Sequence, residues 1–442
     1  MSFSTQSNSF TFHTQKGEFL AFPAYGILKI RNIRYAFAER FQKPISLAPT
    51  EFEQILTDKT VICPQNINPL LEKMIGKVNI DDFEVDETPL FLTINRPLLI
   101  KENEKLPVII WIHGGSYEIG CGDLSSADAA DWVREQNVII VNVTYRLGVF
   151  GFLGGTEEKP ANLGVFDVIE ALKWIKSAIS DFGGEAENIT LFGQSSGGDA
   201  IAHLMISEGV DYLFKRVIIQ SAPFGLRDNR EKMMAEFLLN TQNINNETQA
   251  SDIVEMYPNG LPSFVKYGLK AAMPFSVQFG FPPLCKQEDT KEMWKKNAKK
   301  YDVLLGLNEE ETALYLRSSE KMQKFVPKFI INKTIRATTE SIYEKPALKF
   351  VKEYAEFGGN VYYFKIKSGI KNHPFSAAHA FDLPLVFGNE KAWENSELTK
   401  NIPWNYFGEN GKKIRALWTE FAKTGHISDT SKRPDILELR KF

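Results

Sequence analysis

Cysteine and histidine are scarce in this chain, and their scarcity excludes several chemistries. The 442 residues hold three cysteines, Cys63, Cys121 and Cys285. An odd number spaced so widely makes neither a disulfide framework nor a metal cluster, so thiols in a reducing compartment are expected. No lysine or arginine run stands out and the formal net charge is −3, so neither nucleic acid nor an anionic membrane is an expected partner. No apolar stretch is long enough to span a bilayer. The polar opening M-S-F-S-T-Q-S-N-S-F-T-F has no basic leader and no apolar core, so no secretory signal is expected, and the expected location is the cytoplasm. Internal repeats and low-complexity linkers are also missing. What remains is an ordinary globular composition, 24% charged and 43% hydrophobic. Length alone would suggest about three domains, but α/β enzymes exceed that size in one unit. A single catalytic domain over 1–442 is expected, with the oligomeric state left open.

Continuous apolar runs mark the interior. Val108 to Ile112 (V-I-I-W-I) and Val138 to Val143 suit strands of a parallel sheet covered on both faces. Further strands are predicted at Leu28–Ile33, Pro89–Ile94, Ile189–Phe192, Val217–Gln220, Tyr301–Leu305 and Val361–Lys365. Ala127–Glu135 reads as a crossover helix, and Leu163–Ala178 carries Val165, Ile169, Leu172 and Ile175 at helical spacing. This alternation predicts the α/β class, a mostly parallel central sheet flanked by helices. Two long helical stretches, about 222–300 and 312–360, read as insertions roofing a pocket at the carboxyl edge of the sheet.

Thr190 to Gly198 (T-L-F-G-Q-S-S-G-G) contains G-x-S-x-G centred on Ser195, with a strand before it and a helical pattern, Asp199–Ser207, after it. That setting describes a nucleophile elbow. Gly193 and Gly197 remove side chains that the sharp turn would drive into the backbone, and permit dihedrals that other residues resist. A serine nucleophile needs a base, an acid to orient that base, and donors for the developing oxyanion. Two donor sources are present, the amide of Ser196 and the amides of Gly114 and Gly115 in H-G-G-S, directly after the run Val108–Ile112. Of the six histidines, His13, His426 and His203 lie elsewhere, and His113 suits a bracing role in the donor loop. His373 and His379 follow the strand Val361–Lys365, where the order serine, acid, histidine places the base. Glu309, Glu310 and Glu311 follow the strand Tyr301–Leu305 as candidate acids.

The chain resembles the type-B carboxylesterase family, which also contains the cholinesterases. C-P-Q at Cys63, H-G-G at His113, Y-R-L-G-V-F-G-F-L at Tyr145 and N-L-G-V-F-D at Asn162 carry the resemblance. So do N-I-T-L-F-G at Asn188, G-x-N-x-x-E at Gly306, H-A-F-D-L-P-L-V-F-G at His379 and W-T-E-F-A-K-T-G at Trp418. The resemblance implies an α/β-hydrolase fold in a compact, bacterial-type member. It implies Ser195 as nucleophile, Glu311 as acid and His379 as base, with Gly114, Gly115 and Ser196 as oxyanion donors, and no metal or cofactor. His373 then becomes a loop residue. Three departures stand out. Gln194 and Ser196 occupy positions where the family has glutamate and alanine, and Glu311 is followed by Thr312 instead of glycine. Cys63 also lacks the cysteine that would pair with it, because Thr88-Pro89-Leu90 stands where the partner motif belongs.

The expected activity is a serine carboxylic-ester hydrolase acting through an acyl-enzyme. Small to medium uncharged esters are the substrates implied. The competing readings are a silent binding or adhesion relative, and an amide, carbamate or thioester hydrolase using the same triad. Phe275, Phe279, Phe281, Phe325 and Phe329 could line an acyl or alcohol pocket, or simply pack within the insertions.

Overall fold

A computed structural model of the chain describes residues 9–48, 53–66, 72, 74, 76 and 80–442. Its centre is an 11-stranded sheet. In chain order the strands are β1 (Phe10–Thr14), β2 (Gly17–Ala24), β3 (Ile27–Arg34), β4 (Phe91–Pro97), β5 (Leu106–Ile112) and β6 (Ile139–Val143). They continue with β7 (Gly184–Gln194), β8 (Arg216–Gln220), β9 (Asp302–Asn308), β10 (Val361–Ile366) and β11 (Leu437–Lys441). Across the sheet they lie in the order β1-β2-β3-β4-β6-β5-β7-β8-β9-β10-β11. The run from β6 to β10 is parallel, while β1 to β4 and β11 pair antiparallel at the two margins.

The apolar runs are continuous because two cores need them. In β5, Val108, Ile110 and Ile112 enter one core, and Ile109 and Trp111 enter another on the opposite face. All seven residues of the strand are buried. Each large side chain so placed stabilises the fold by about 1.5–3 kcal/mol. Polar pairs fix the connections. Arg146 and Asp167, with side chains 1% and 0% exposed, form a two-pronged ion pair at 2.6 and 2.8 Å. Asn162 opens the helix Leu163–Ala178 and clasps Gln278 through both backbone groups, at 2.9 and 2.8 Å.

Several boundaries differ from expectation for local reasons. β4 runs from Phe91 to Pro97, two residues later at its start than predicted. β7 begins at Gly184, five residues early, with an irregularity between Gly184 and Ile189 that accommodates polar residues. The crossover helix starts at Ala130, because extended Asp128 interrupts it and accepts the Ala130 N–H at 2.8 Å. The helix after the elbow starts at Ser196 and ends at Leu204. Its glycines are helical residues packed tightly on the sheet, not turn residues. A Cβ on Gly197 would sit 2.1 Å from the Ile112 carbonyl oxygen.

The two stretches expected as insertions follow β8 and β9 at the carboxyl edge of the sheet. The first carries the helices Glu231–Asn240, Ala250–Met256 and Thr290–Asn297. The second carries Ala313–Ser318, Glu320–Phe325, Lys328–Thr339 and Lys345–Glu356, with a π-helical turn at Glu340–Glu344.

Candidate active site

Ser195 stands between the end of β7 and the helix Ser196–Leu204, with φ 58° and ψ −129°. A non-glycine residue in that region stores about 1–3 kcal/mol of strain. The strain is held by its N–H bond to the Gln220 carbonyl of β8, at 2.9 Å, and by the Asp199 N–H on its own carbonyl, at 3.0 Å. Gly193 and Gly197 are not at positive φ. They supply space, since a Cβ on Gly193 would meet Gly197 backbone atoms at 2.7 Å. The unusual dihedral falls on the serine itself.

Glu311 is fully buried just beyond β9. One carboxylate oxygen accepts the Asn308 N–H at 2.7 Å, and the other lies 2.5 Å from His379 Nδ1. That contact makes Nδ1 the protonated nitrogen and leaves the Nε2 lone pair to the pocket. The Gln194 amide nitrogen stands 3.3 Å from Nε2. Ser195 Oγ makes no hydrogen bond among the described residues, so serine and imidazole share the pocket without being joined. The neighbouring acids go elsewhere. Glu310 pairs with Arg317 at 2.6 Å, and Glu309 accepts the Ser368 N–H at 3.0 Å. His373 contacts the Lys400 carbonyl at 3.1 Å, away from Ser195.

Gly114 packs directly on the elbow, where a Cβ would lie 2.9 Å from Ser195 Cβ and 2.6 Å from the Gln194 carbonyl oxygen. Gly115 has φ +113°, and its carbonyl accepts the N–H groups of Glu118 and Ile119, both at 3.0 Å. Among the described residues the N–H groups of Gly114, Gly115 and Ser196 have no acceptor. His113 is a neutral brace. Burial pushes its imidazole down to about 4, and it stacks on Tyr145 at 4.5 Å while Nδ1 meets the Gly114 carbonyl at 2.8 Å.

A cavity of about 180 Å³ opens on Ser195, Gln194, His379, Gly114 and Gly115, with Trp111, Leu124, Leu314, Tyr315, Leu383 and Phe387 among its apolar walls. A larger cleft of about 510 Å³ around Arg134 and Asn389 shares the Phe387 wall but contains none of Ser195, Gln194, His379, Gly114 or Gly115. The chemistry, not the volume, locates the site. The second insertion supplies Leu314 and Tyr315, and none of the lining residues comes from the first. None of the five insertion phenylalanines lines the cavity. Phe275 packs on Phe237 and Tyr257, Phe279 on His203, and Phe325 and Phe329 face solvent. Among the described residues no group of three or more His, Cys, Asp or Glu is arranged to hold a metal.

Comparisons with known proteins bear on the family and the fold. The profile described as the carboxylesterase family matches residues 30–329. The chain belongs to the carboxylesterase family. It is 28% identical over 411 residues to the probable N-octanoylanthranilate hydrolase AqdA2 of Rhodococcus erythropolis, covering 90% of this chain and 89% of that protein. It is also 28% identical over 468 residues to the para-nitrobenzyl esterase of Bacillus subtilis (strain 168), covering 94% and 90%. The solved structure of a thermophilic PNB esterase superposes with a TM-score of 0.76 at 22% identity, over 98% of this chain and 97% of that one, which shows the α/β-hydrolase fold. Activity and fold therefore stand together: this carboxylesterase is a serine carboxylic-ester hydrolase with a mixed sheet flanked by helices.

The carboxylesterase also uses residues that sequence reasoning passed over. Gln65, in C-P-Q, grips Gly120 from both sides, accepting its N–H at 2.6 Å and donating to its carbonyl at 3.0 Å. Ser196 Oγ accepts the Tyr117 N–H at 3.1 Å, and Tyr117 OH donates to Asp199 at 2.7 Å. The departure from alanine thus ties the donor loop to the elbow. Asp382 is buried behind the base, receiving Gln220 and, at 3.0 Å, Asn308. Burial, then the charge of Glu311, pushes its carboxyl up to about 6. The resemblance of C-P-Q to the family's pattern was the one available signal for Gln65. Asp382 had the same kind of signal, standing in H-A-F-D-L-P-L-V-F-G, and Tyr117 had none.

Proposed function

We propose that Ser195 is the nucleophile, His379 the base, Glu311 the acid that orients it, and Gly114, Gly115 and Ser196 the oxyanion donors. One observation carries the assignment. A buried carboxylate lies 2.5 Å from His379 Nδ1, and the imidazole's other nitrogen faces the cavity that Ser195 lines. His379 Nε2 accepts the Ser195 proton as Oγ forms its bond to the ester carbonyl carbon. The carbonyl oxygen becomes the oxyanion, held by three N–H groups. Collapse expels the alkoxide, which takes the proton from His379, leaving acyl-Ser195. Water, deprotonated by His379, attacks the acyl carbon; the carboxylic acid leaves and Ser195 recovers its proton. For the first step the Gln194 amide must yield its place at Nε2 to the serine hydroxyl. Apo-state catalytic contacts are commonly loose in this way.

The apolar cavity supports small to medium uncharged esters as substrates. A relative named for an N-octanoyl compound favours one second reading, amide hydrolysis by the same groups. Three unpaired cysteines support a reducing, cytoplasmic setting, and both insertions are read as excursions from one catalytic domain. Among the described residues no helix is long and apolar enough to cross a membrane.

A fluorophosphonate should label the folded protein at Ser195, and Ser195→Ala should abolish both labelling and turnover of a short p-nitrophenyl ester. His379→Ala should lose about as much activity as Ser195→Ala, and His373→Ala little. Labelling that survives Ser195→Ala, or the reverse ranking of the histidines, would reject the assignment. A matched p-nitroanilide separates amide from ester cleavage.

A further inference from the structure

The second insertion has two unlike faces. Its inner face is part of the pocket wall. Leu314 and Tyr315 line the cavity beside Ser195, and Ile331 and Ile335 pack in a separate core with Met74 and Ala380, which line the same cavity. Its outer face is aromatic and basic. Phe325 and Phe329 are 74% and 72% exposed, and Ile330 is 41% exposed, all where the helix Glu320–Phe325 turns into Lys328–Thr339. Around them Lys321, Lys324, Lys328, Lys333 and Arg336 are exposed, and Glu320 is the single acid between residues 319 and 339. These cations make no ion pair among the described residues; Lys324 lies over the Phe325 ring at 5.4 Å.

An ordinary solvated face balances its charges and hides its phenylalanines. Here an apolar tip is ringed by cations on a chain of net charge −3. Such a tip matches the boundary between water and a bilayer with anionic headgroups: aromatic rings enter the acyl region while lysines and arginine reach the phosphates. A second copy of the chain is the wrong occupant, since like charges would face each other across the contact. The absence of a consecutive basic run hid this patch, because its cations are separated by other residues along two helices and only the fold gathers them.

We propose that the turn at Phe325–Phe329 docks the enzyme on an anionic lipid surface and brings the pocket close to neutral esters dissolved in it. The proposal rests on the ester-hydrolase reading and narrows the substrates to lipophilic esters. No spanning helix is required.

The test is flotation of the full chain with phosphatidylcholine vesicles and with vesicles of phosphatidylcholine mixed with phosphatidylserine. The wild type should bind the mixed vesicles at least about tenfold more tightly, and less so as salt is raised. Phe325→Ser with Phe329→Ser, and separately Lys324→Glu with Lys328→Glu, should each weaken binding about tenfold or more. Turnover of water-soluble p-nitrophenyl acetate should stay unchanged in both, while cleavage of a long-chain ester carried in the mixed vesicles should fall. No binding at low salt, binding that ignores both double variants, or self-association that the same substitutions abolish would overturn the proposal. Vesicle binding is read without turnover. Binding by a protein that cleaves no ester would therefore sustain the docking surface and refute the catalytic reading instead.

Discussion

Replacing Glu311 by glutamine removes a charge and almost no volume. The carboxylate serves two donors, the Asn308 N–H at 2.7 Å and His379 Nδ1 at 2.5 Å. A glutamine carbonyl satisfies only one of them. If it keeps Asn308, its NH₂ faces Nδ1 and forces the proton onto Nε2, so the imidazole has no lone pair for the serine proton. If it keeps Nδ1–H, two N–H groups collide at Asn308, leaving a buried donor unsatisfied at about 1–3 kcal/mol. The first arrangement relieves the clash and selects the wrong tautomer. In either arrangement the imidazolium formed during attack has lost its counter-charge. The expected loss is about 10⁴-fold in kcat, roughly 5 kcal/mol of barrier. KM should barely move, because Glu311 is not among the residues lining the cavity. Glu310→Gln is the control. It removes an ion pair to Arg317 whose carboxylate is 34% exposed, worth about 0–1 kcal/mol of stability and no activity. The assay is initial-rate hydrolysis of p-nitrophenyl butyrate, with near-ultraviolet circular dichroism to verify folding. A folded Glu311→Gln protein keeping more than about a tenth of wild-type kcat would refute this account.

Other outcomes follow from the surroundings. Asp167→Ala leaves the Arg146 guanidinium, 1% exposed, without its counter-charge. Urea denaturation should show a loss of about 3–5 kcal/mol; a loss under 1 kcal/mol would mean that water reaches the cation. Ser196→Ala removes the acceptor of the Tyr117 N–H, with an expected cost of about 1–3 kcal/mol and a severalfold fall in kcat as the donor loop loosens. Unchanged melting temperature and kcat would count against that brace. Asp382 holds a proton up to about pH 6 that the unfolded chain releases near 4, so its contribution weakens folding as pH rises through that window. His113, held at about 4, acts oppositely: the unfolded chain takes up a proton below about 6.5 and folding weakens as pH falls. Asp382→Asn should therefore lose stability more steeply than wild type on acidification from pH 6 to 4, by up to about 3 kcal/mol. Equal slopes in urea midpoints would show that Asp382 titrates in the fold as it does in the unfolded chain.

Much of the architecture was legible in local patterns. V-I-I-W-I demanded a strand apolar on both faces, and β5 sends alternate residues into two cores. G-x-S-x-G demanded a crowded turn, though the glycines relieve crowding and Ser195 itself takes the strained dihedral. Boundaries were less legible where tertiary contacts override propensity. Gly197 and Gly198 read as a turn, yet they lie in the first turn of the helix that starts at Ser196, where a Cβ on Gly197 would strike the Ile112 carbonyl oxygen.

What the amino-acid order determined by itself is what short-range sterics and period can encode: the strands, the elbow, the order of serine, acid and histidine along the chain. Local pattern left the acid and the base open; the family resemblance pointed to Glu311 and His379, and tertiary structure supplies the physical reason that these partners meet. Glu309, Glu310 and Glu311 are chemically alike, but the turn after β9 directs only Glu311 inward, to a histidine 68 residues away. The phenylalanines of the insertions likewise divided between interior and solvent, and cations separated in sequence gathered on one face. Such outcomes depend on how whole elements pack, and no local pattern carries that sum.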